Sequence, residues 1–279
     1  MNGQVDPESH PTVKYRSAVL PLAALALSAT IASRAAAQDP RSIALISAGA
    51  VAVPAVPVPA AAAKPTTSFT GDLGFISASG NTNLTTLTAA EKVVRTTGRW
   101  MFTEMGIYVS SETNNKQSAN QLRLAGRVDY ALDPRLSVFV GVTTERNKFA
   151  GFERRTDEIA GVAWKAIVAP RDSLRLDAGG VLTQEEEVDR TTQSYPSARV
   201  AMNYKHQFSK LAYFQQFVEY LQNLQTSGSY RFNTESAVVA PISTHIGIKV
   251  AYGIRFDSRP QPTFGTTDRL LTTGIQVSY

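Results

Sequence analysis

The sequence predicts a single twelve-stranded antiparallel transmembrane β-barrel of the bacterial outer membrane, and three observations favour this fold. Apolar and polar residues alternate with a period of two over most of residues 67–279, which is typical of half-buried strands. No stretch there reaches the roughly 18 apolar residues of a membrane-spanning helix. The connections between alternating segments are predicted to be short on one side and mostly longer on the other, as in outer-membrane barrels.

The composition narrows the possible chemistry. The chain has 279 residues, of which 18% are charged, and it contains no Cys. Disulfide frameworks, thiolate zinc sites and cysteine nucleophiles are therefore excluded. The 28 Lys and Arg exceed the 23 Asp and Glu by five, but the positive charge forms no basic runs, so we expect no nucleic-acid partner.

Residues 1–37 have the pattern of an export signal peptide. Lys14 and Arg16 precede an apolar run at 18–31, and the small residues 35–37 resemble a cleavage site. A retained N-terminal anchor is the alternative interpretation, although the run is shorter than the roughly 20 residues that a spanning helix needs.

Residues 38–66 form an Ala- and Pro-rich segment ahead of the barrel. Pro54, Pro57 and Pro59 each remove a backbone donor, which disfavours a helix. An extended, disordered linker is the preferred interpretation. A second signal core with processing near 60–63 is the alternative.

The barrel is predicted to occupy residues 67–279. Its twelve alternating segments lie at approximately 68–78, 84–95, 100–111, 119–131, 136–146, 154–167, 173–184, 195–207, 211–221, 230–240, 244–256 and 267–279. Because twelve is even, both ends of the barrel fall on the same side, the side of the short turns. The intervening segments at 112–118, 147–153, 185–194 and 257–266 are expected to be the longer loops, and 79–82 a tight turn.

The apolar face is expected to point outward into lipid. The polar face mixes long charged residues with small ones, as in Arg123, Ala125 and Arg127, and a narrow lumen needs such small residues beside long ones. Aromatic residues also gather near the short-turn ends of the apolar rows, which predicts an interfacial girdle. They are Phe69, Trp100, Tyr130, Trp164, Tyr204 and Tyr279. The alternative, an inward apolar face, describes a soluble carrier of lipid.

Several short motifs, taken in order, resemble a known family. They are Gly80-Asn81-Thr82-Asn83, Leu176-Asp177-Ala178-Gly179-Gly180, Phe256-Asp257-Ser258-Arg259-Pro260 and the pair Thr267-Asp268 before a final aromatic. Between Phe69 and Tyr279 the chain resembles the YdiY-like, salt-induced outer membrane proteins of Gram-negative bacteria. The resemblance implies an outer-membrane barrel with no established catalytic or ligand residues. This chain departs from the family in its long Ala/Pro-rich segment and in ending on Tyr rather than Phe.

The lumen is the candidate functional site. Ten charged residues share the polar face and are predicted to line it: Arg123, Arg127, Asp129, Arg175, Asp177, Arg199, Glu219, Glu235, Lys249 and Arg255. Charges of both signs are interspersed, so they can neutralise one another and plug a narrow barrel. A ring of charge can equally select small ions. The sequence therefore predicts a non-enzymatic outer-membrane protein, linked to salt or osmotic stress by the resemblance, with a narrow diffusion channel as the alternative.

A lipid-modifying enzyme of the outer membrane is the less favoured hypothesis. Outside the signal the only histidines are His206 and His245, both near short turns, and no Gly-x-Ser-x-Gly motif occurs. A histidine without a placed nucleophile is not a catalytic unit. We expect no cofactor and no metal.

The remaining expectations concern the rims. The acidic run Glu185, Glu186, Glu187 and Asp189 lacks the spacing of a calcium loop and is interpreted as a solvated loop. Lipopolysaccharide is the expected partner of the basic residues Arg146, Lys148, Arg154 and Arg155, alongside outer-membrane lipids. The barrel-assembly machinery is expected to bind the C-terminal strand that ends at Tyr279.

Overall fold

The computed structural model describes residues 65–78, 83–262 and 264–279. Within those ranges no helix has the length and apolar character needed to cross a membrane. The described chain forms twelve strands and a single 3₁₀ turn, Lys148–Ala150. The strands are β1 (Thr66–Ala78), β2 (Leu84–Thr97), β3 (Trp100–Thr113), β4 (Lys116–Ala131), β5 (Leu136–Asn147), β6 (Phe152–Val168), β7 (Asp172–Glu187), β8 (Thr192–Gln207), β9 (Tyr213–Asn223), β10 (Tyr230–Pro241), β11 (Ile246–Asp257) and β12 (Thr267–Ser278).

The strands form one closed antiparallel barrel in which each strand pairs with its neighbours in sequence and β1 pairs with β12. The predicted fold is therefore confirmed. Closure satisfies the backbone groups of the edge strands, as a sheet in hydrocarbon requires. The predicted signal and all but the last two residues of the predicted linker lie outside the described residues, and so does the tight turn predicted at 79–82.

The seam between β1 and β12 depends on two glycines. Gly74 pairs with Gly274 at the end of the seam that faces the loop rim. A Cβ at Gly274 would overlap the carbonyl of Leu73, and a Cβ at Gly74 would lie 2.9 Å from the carbonyl oxygen of Thr273. Tyr279 extends the seam, because its amide donates to the carbonyl of Phe69 at 3.0 Å and its carbonyl accepts from the amide of Phe69 at 2.9 Å.

The two rims differ less than the sequence predicts. The short-turn rim carries the connections 98–99, 132–135, 169–171, 208–212 and 242–245 together with both ends of the barrel. On the opposite rim, the loop rim, the connection expected as a long loop at 112–118 is a two-residue turn. Asn114 and Asn115 have φ of 52° and 61°, as in a type I′ hairpin, which asparagine tolerates. The strands simply extend further than predicted, and 258–266 is the longest described loop.

Large apolar side chains cover the outer face at the height of the strand centres, as predicted. Leu73 is 60% exposed and Val140 is 59% exposed, whereas Asp72 and Phe139, which precede them in sequence, point inward. The predicted aromatics lie on the outer face near the short-turn rim, where Trp100 packs against Tyr130 with ring centroids 4.8 Å apart. An apolar band with an aromatic girdle is the exterior of a transmembrane barrel.

Three carboxylates interrupt the apolar band of this face, away from the two rims. Glu91 and Glu104 are exposed on the adjacent strands β2 and β3, and the carboxylate of Glu91 lies over Gly106. Glu158 is the third, and it accepts a hydrogen bond from Gln184 at 3.3 Å. Successive side chains therefore alternate strictly between the two faces of the barrel, but the outer face is not uniformly apolar.

Candidate functional site: the ion-paired lumen

The structure places all ten predicted lumen residues on the inner face of the barrel. Their burial is high for charged groups: Asp129 is 2% exposed, Asp177 and Glu235 are each 4% exposed. A wide aqueous channel would leave such groups accessible to water. At the level of Asp129 and Asp177 the lumen is largely filled by side chains.

Four of the ten form a closed ring of ion pairs. Arg127 on β4 reaches Asp177 on β7 at 2.6 Å and Asp129 on its own strand at 2.8 Å. Arg175 on β7 reaches Asp129 at 2.5 Å and Asp177 at 2.8 Å. Each arginine thus bridges both aspartates, and the ring links strands that are not neighbours in the sheet.

Arg199 extends the ring toward the loop rim. Its Nε donates to Glu219 at 2.6 Å, and its Nη1 lies 3.8 Å from Asp177. Asn233 donates a further hydrogen bond to Glu219 at 2.8 Å. Arg127 also stacks on the inward ring of Phe139, with its guanidinium carbon 3.5 Å from the ring centroid.

A second set of ion pairs crosses the full lumen. Arg255 on β11 binds both carboxylate oxygens of Glu145 on β5, at 2.8 and 3.2 Å, and these strands lie on opposite sides of the closed ring. Gln121 donates to the same carboxylate at 2.9 Å, and Arg123 approaches it at 3.5 Å. Glu145 is therefore the central anion of the crossing.

A parallel crossing joins β10 to β6. Arg231 lies 3.2 Å from Asp157 and donates to the hydroxyl of Thr183 at 3.0 Å, while Thr183 donates to Asp157 at 2.6 Å. Bidentate and shared contacts of this kind are the strong form of protein hydrogen bonding. Together the two crossings divide the lumen.

A cavity of about 330 Å³ lies around these crossings and opens toward the loop rim. We name it the loop-rim chamber. Its wall combines the arginines and carboxylates of the crossings with Asp268, and Phe149 and Phe264 reach it from the loops. Phe149 also packs against the buried Ala119 and Leu270, so the 3₁₀ turn folds over the mouth of the barrel.

A smaller cavity of about 140 Å³ lies toward the short-turn rim. We name it the short-turn chamber. It contains two of the predicted residues, Glu235 and Lys249. The inward side chains Met105, Ile107 and Val109 of β3 form an apolar cluster against Ala90 and Ala125, and this cluster lies between the two chambers on that side of the lumen.

The acidic run at the loop rim is more ordered than the sequence predicts. Arg155 holds Glu185 in a two-pronged pair at 2.8 and 3.0 Å, Arg190 binds Glu186 at 2.9 Å, and Glu187 is buried and accepts from Gln193. In the described ranges no three metal-ligating side chains are grouped closely enough to hold an ion. The interpretation of this run as a freely solvated loop is thus wrong for Glu185 and Glu187, because both side chains turn into the mouth of the barrel.

The two histidines in the described part of the chain lie at the short-turn rim. The Nδ1 of His206 is 2.8 Å from Asp172, and Tyr204 donates to the same carboxylate at 2.6 Å. These hydrogen bonds hold His206 on the outer face, and the ring of His245 stacks on Tyr279. Neither contact places a nucleophile.

The prediction from sequence missed several partners of the ten residues. Asp72, Lys92, Glu145, Asp157, Lys205 and Arg231 all line the lumen chambers. Glu145 carried a usable signal, because it continues the inward row of Phe139 and Thr143 between exposed valines. The other five residues are seen to lie on the inner face from the strand pairing in the structure.

Comparisons with known proteins agree on a common region. Residues 71–279 match the family described as "Protein of unknown function, DUF481". The "Uncharacterized protein YdiY" of Escherichia coli (strain K12) is 26% identical over 223 residues, which cover 79% of this chain and 86% of that protein.

Solved structures are also similar. The NanC porin has 11% identity, covers 75% of this chain and 97% of its own, and has a TM-score of 0.45. The translocator domain of the autotransporter NalP from Neisseria meningitidis has 11% identity and a TM-score of 0.44. The match covers 77% of this chain and 87% of that structure.

Proposed function

We propose, starting from the fact that this chain belongs to the family described as "Protein of unknown function, DUF481", that it is a non-enzymatic integral protein of the outer membrane of a Gram-negative bacterium. We further propose that ion pairs hold its lumen shut. The apolar exterior, the aromatic girdle and the closed sheet support the location. The pair between Arg255 and Glu145 across the lumen carries the proposal of a closed barrel.

A barrel of this kind acts through its exterior and its rims rather than through transport. The resemblance to the salt-induced proteins supports a role in maintaining the envelope under salt or osmotic stress. A strain that lacks the protein is expected to grow normally in dilute medium and poorly at high salt. Equal growth of the two strains at every salt concentration would contradict this role.

Planar-bilayer recording tests whether the lumen is closed. The purified, folded protein is expected to insert and to give no reproducible conductance steps. Heat-modifiable gel mobility of the same sample must show that the barrel is folded, so that silence reports closure and not failure to fold. Steps of constant size would contradict the closed lumen.

A narrow channel for small charged solutes is the second candidate function. The observation that favours it is the pair of chambers, of about 330 and 140 Å³, which lie toward opposite rims of one lumen. Passage between them would require displacement of the two crossings and of the ring formed by Arg127, Asp129, Arg175 and Asp177. Steps of constant size in the recording would support this candidate.

The proposal of a non-enzymatic protein has a direct test as well. His206 is engaged with Asp172 and Tyr204 on the outer face, away from both chambers. The detergent-solubilised protein is therefore expected to be inert toward phospholipid and lipopolysaccharide. Release of fatty acid by the folded protein would contradict the proposal.

We also propose lipopolysaccharide as a partner at the loop rim. Arg146 and Arg154 point outward there and are exposed, as phosphate binding requires. Arg155, by contrast, is turned into the lumen by its ion pair with Glu185. It is therefore not part of the proposed lipopolysaccharide site. Lys148 pairs with Glu153 at 2.8 Å.

The barrel-assembly machinery remains a proposed partner of β12. The side chain of Tyr279 is 72% exposed at the short-turn rim, and its backbone already completes the seam with Phe69. Deletion of Tyr279 is expected to slow folding in cells more than it slows refolding in detergent. Equal slowing in both would contradict recognition by the machinery.

A further inference from the structure

Three lysines from three separate strands converge on the short-turn chamber. Lys92 comes from β2, Lys205 from β8 and Lys249 from β11, and all three line the same cavity. Each is on the inner face of its strand, so these ammonium groups are directed into the lumen and not toward lipid.

Two carboxylates offset only part of this charge. Asp72 binds Lys249 at 2.6 Å and accepts from Gln276 at 2.9 Å, and Glu235 is the second carboxylate on the inner wall. Glu91 also borders the cavity, but its side chain points to the outer face over Gly106. Among the described residues that line the chamber, three inward cations therefore face two inward anions.

Lys205 is held in place by its surroundings. The Nζ of Lys205 lies 4.0 Å from the ring centroid of Tyr213, and the hydroxyl of Tyr213 donates to Gln276 at 2.7 Å. Thr70 and Gln215 add polar groups to the same wall. Preorganised donors of this kind bind an anion without having to be ordered first.

We propose that the short-turn chamber binds a small oxyanion of the phosphate or carboxylate class between Lys92 and Lys205. The excess positive charge favours an anion, and ammonium groups bind oxyanions as point charges with several donors. The volume of about 140 Å³ admits a single small ion and excludes larger molecules.

The loop-rim chamber does not share this character. Its arginines Arg231 and Arg255 are each engaged by a carboxylate, and Asp268 adds a further negative charge to its wall. An anion is therefore expected at one end of the lumen only. This inference is independent of whether the lumen conducts.

Calorimetric titration of the folded protein in detergent with inorganic phosphate tests the proposal. The wild type is expected to bind one phosphate saturably. Lys92→Gln and Lys205→Gln are each expected to weaken binding by about tenfold or more, as loss of one charged hydrogen bond implies. Lys210→Gln removes an exposed lysine from the 208–212 turn at the same rim and is expected to bind as the wild type does.

The outcomes separate the possibilities. Titration with acetate and sulfate in competition with phosphate shows which oxyanion class the chamber prefers. Retained heat-modifiable mobility shows that each variant is folded, and if one of the two lysine variants does not fold, the other decides. Absence of saturable binding, or equal binding by the folded lysine variants and the wild type, would overturn the proposal. Conductance plays no part in this test, so its result stands apart from the proposed closure of the lumen.

Discussion

Arg255 and Glu145 form a two-pronged ion pair between strands on opposite sides of the barrel, with Glu145 buried and Arg255 largely buried. Their contact spans the lumen near the loop rim. The same carboxylate also accepts from Gln121. Five sets of substitutions test the ion pairs of the lumen, the assignment of side chains to the two faces, and the seam.

Glu145→Ala is expected to open the lumen and to destabilise the barrel. Removal of one partner leaves Arg255 as a buried charge without its anion, which costs about 3–5 kcal/mol in typical proteins. Single-channel recording and urea unfolding in detergent measure the two effects. Glu186→Ala, which removes a carboxylate paired with the exposed Arg190, is expected to remain silent and to change stability by less than about 1 kcal/mol. A silent Glu145→Ala variant of wild-type stability would contradict the role of the crossing.

Asp129→Asn and Asp177→Asn are expected to be strongly coupled. Both aspartates bind the same two arginines, so either change alone already breaks the ring. The double variant should lose less stability than the sum of the single variants, with a coupling free energy of about 0.5–3 kcal/mol. Asp129→Asn combined with Glu112→Gln, at the distant loop rim, should be additive. Additivity of the two aspartates would show that the ring does not form.

Val250→Arg is expected to destabilise the folded barrel in lipid by about 2–4 kcal/mol, the cost of a cation on the lipid face near the bilayer midplane. Val250 is on the outer face of β11 and is 39% exposed. Val250→Leu keeps the site apolar and should cost little. Reversible unfolding in vesicles measures both, and equal stability of the two variants would place Val250 away from lipid.

Glu91→Leu is expected to stabilise the barrel in lipid, because it removes a carboxylate from the outer face. The gain should be smaller than the cost of an arginine at the same depth, about 1 kcal/mol or less. Glu112→Leu, on the outer face of β3 beside the loop rim, should be neutral because that site is close to water. A loss of stability in Glu91→Leu would show that this carboxylate has a partner in the membrane.

Gly274→Ala is expected to weaken the closure of the barrel. The added methyl group would meet the backbone of Leu73 across the seam, and overpacking of this kind costs about 1–3 kcal/mol. Gly126→Ala adds the same methyl group where nothing lies within 4 Å. A lower thermal midpoint for Gly274→Ala alone, read from heat-modifiable gel mobility, is the expected result. Equal midpoints would contradict the tight seam.

The period-two pattern was sufficient to predict the strands and their faces. In β11 the apolar row from Ile246 to Phe256 points outward and the row that includes Lys249 and Arg255 points inward, because successive side chains in a strand alternate. The same reasoning overestimated the loop at 112–118. The polarity of those residues suggested a loop, but Asn114 and Asn115 have the local preference for a left-handed turn.

The partners within the lumen could not be predicted in this way. Alternation assigns a residue to the inner face, yet the contact between Arg255 and Glu145 depends on the relative height of strands far apart in sequence. That height is set by the accumulated stagger around the closed barrel and by register shifts such as the one between Glu145 and Asn147. No local pattern in the sequence indicates this relative height.

The outward orientation of the apolar rows is the central claim, and cysteine scanning of β11 tests it most directly. The chain has no native cysteine, so single cysteines at 248 through 252 can each carry a nitroxide label in lipid vesicles. Labels at 248, 250 and 252 are expected to collide with oxygen dissolved in the bilayer, and labels at 249 and 251 are expected to be shielded. Reversed or absent alternation in a folded barrel would contradict the claim.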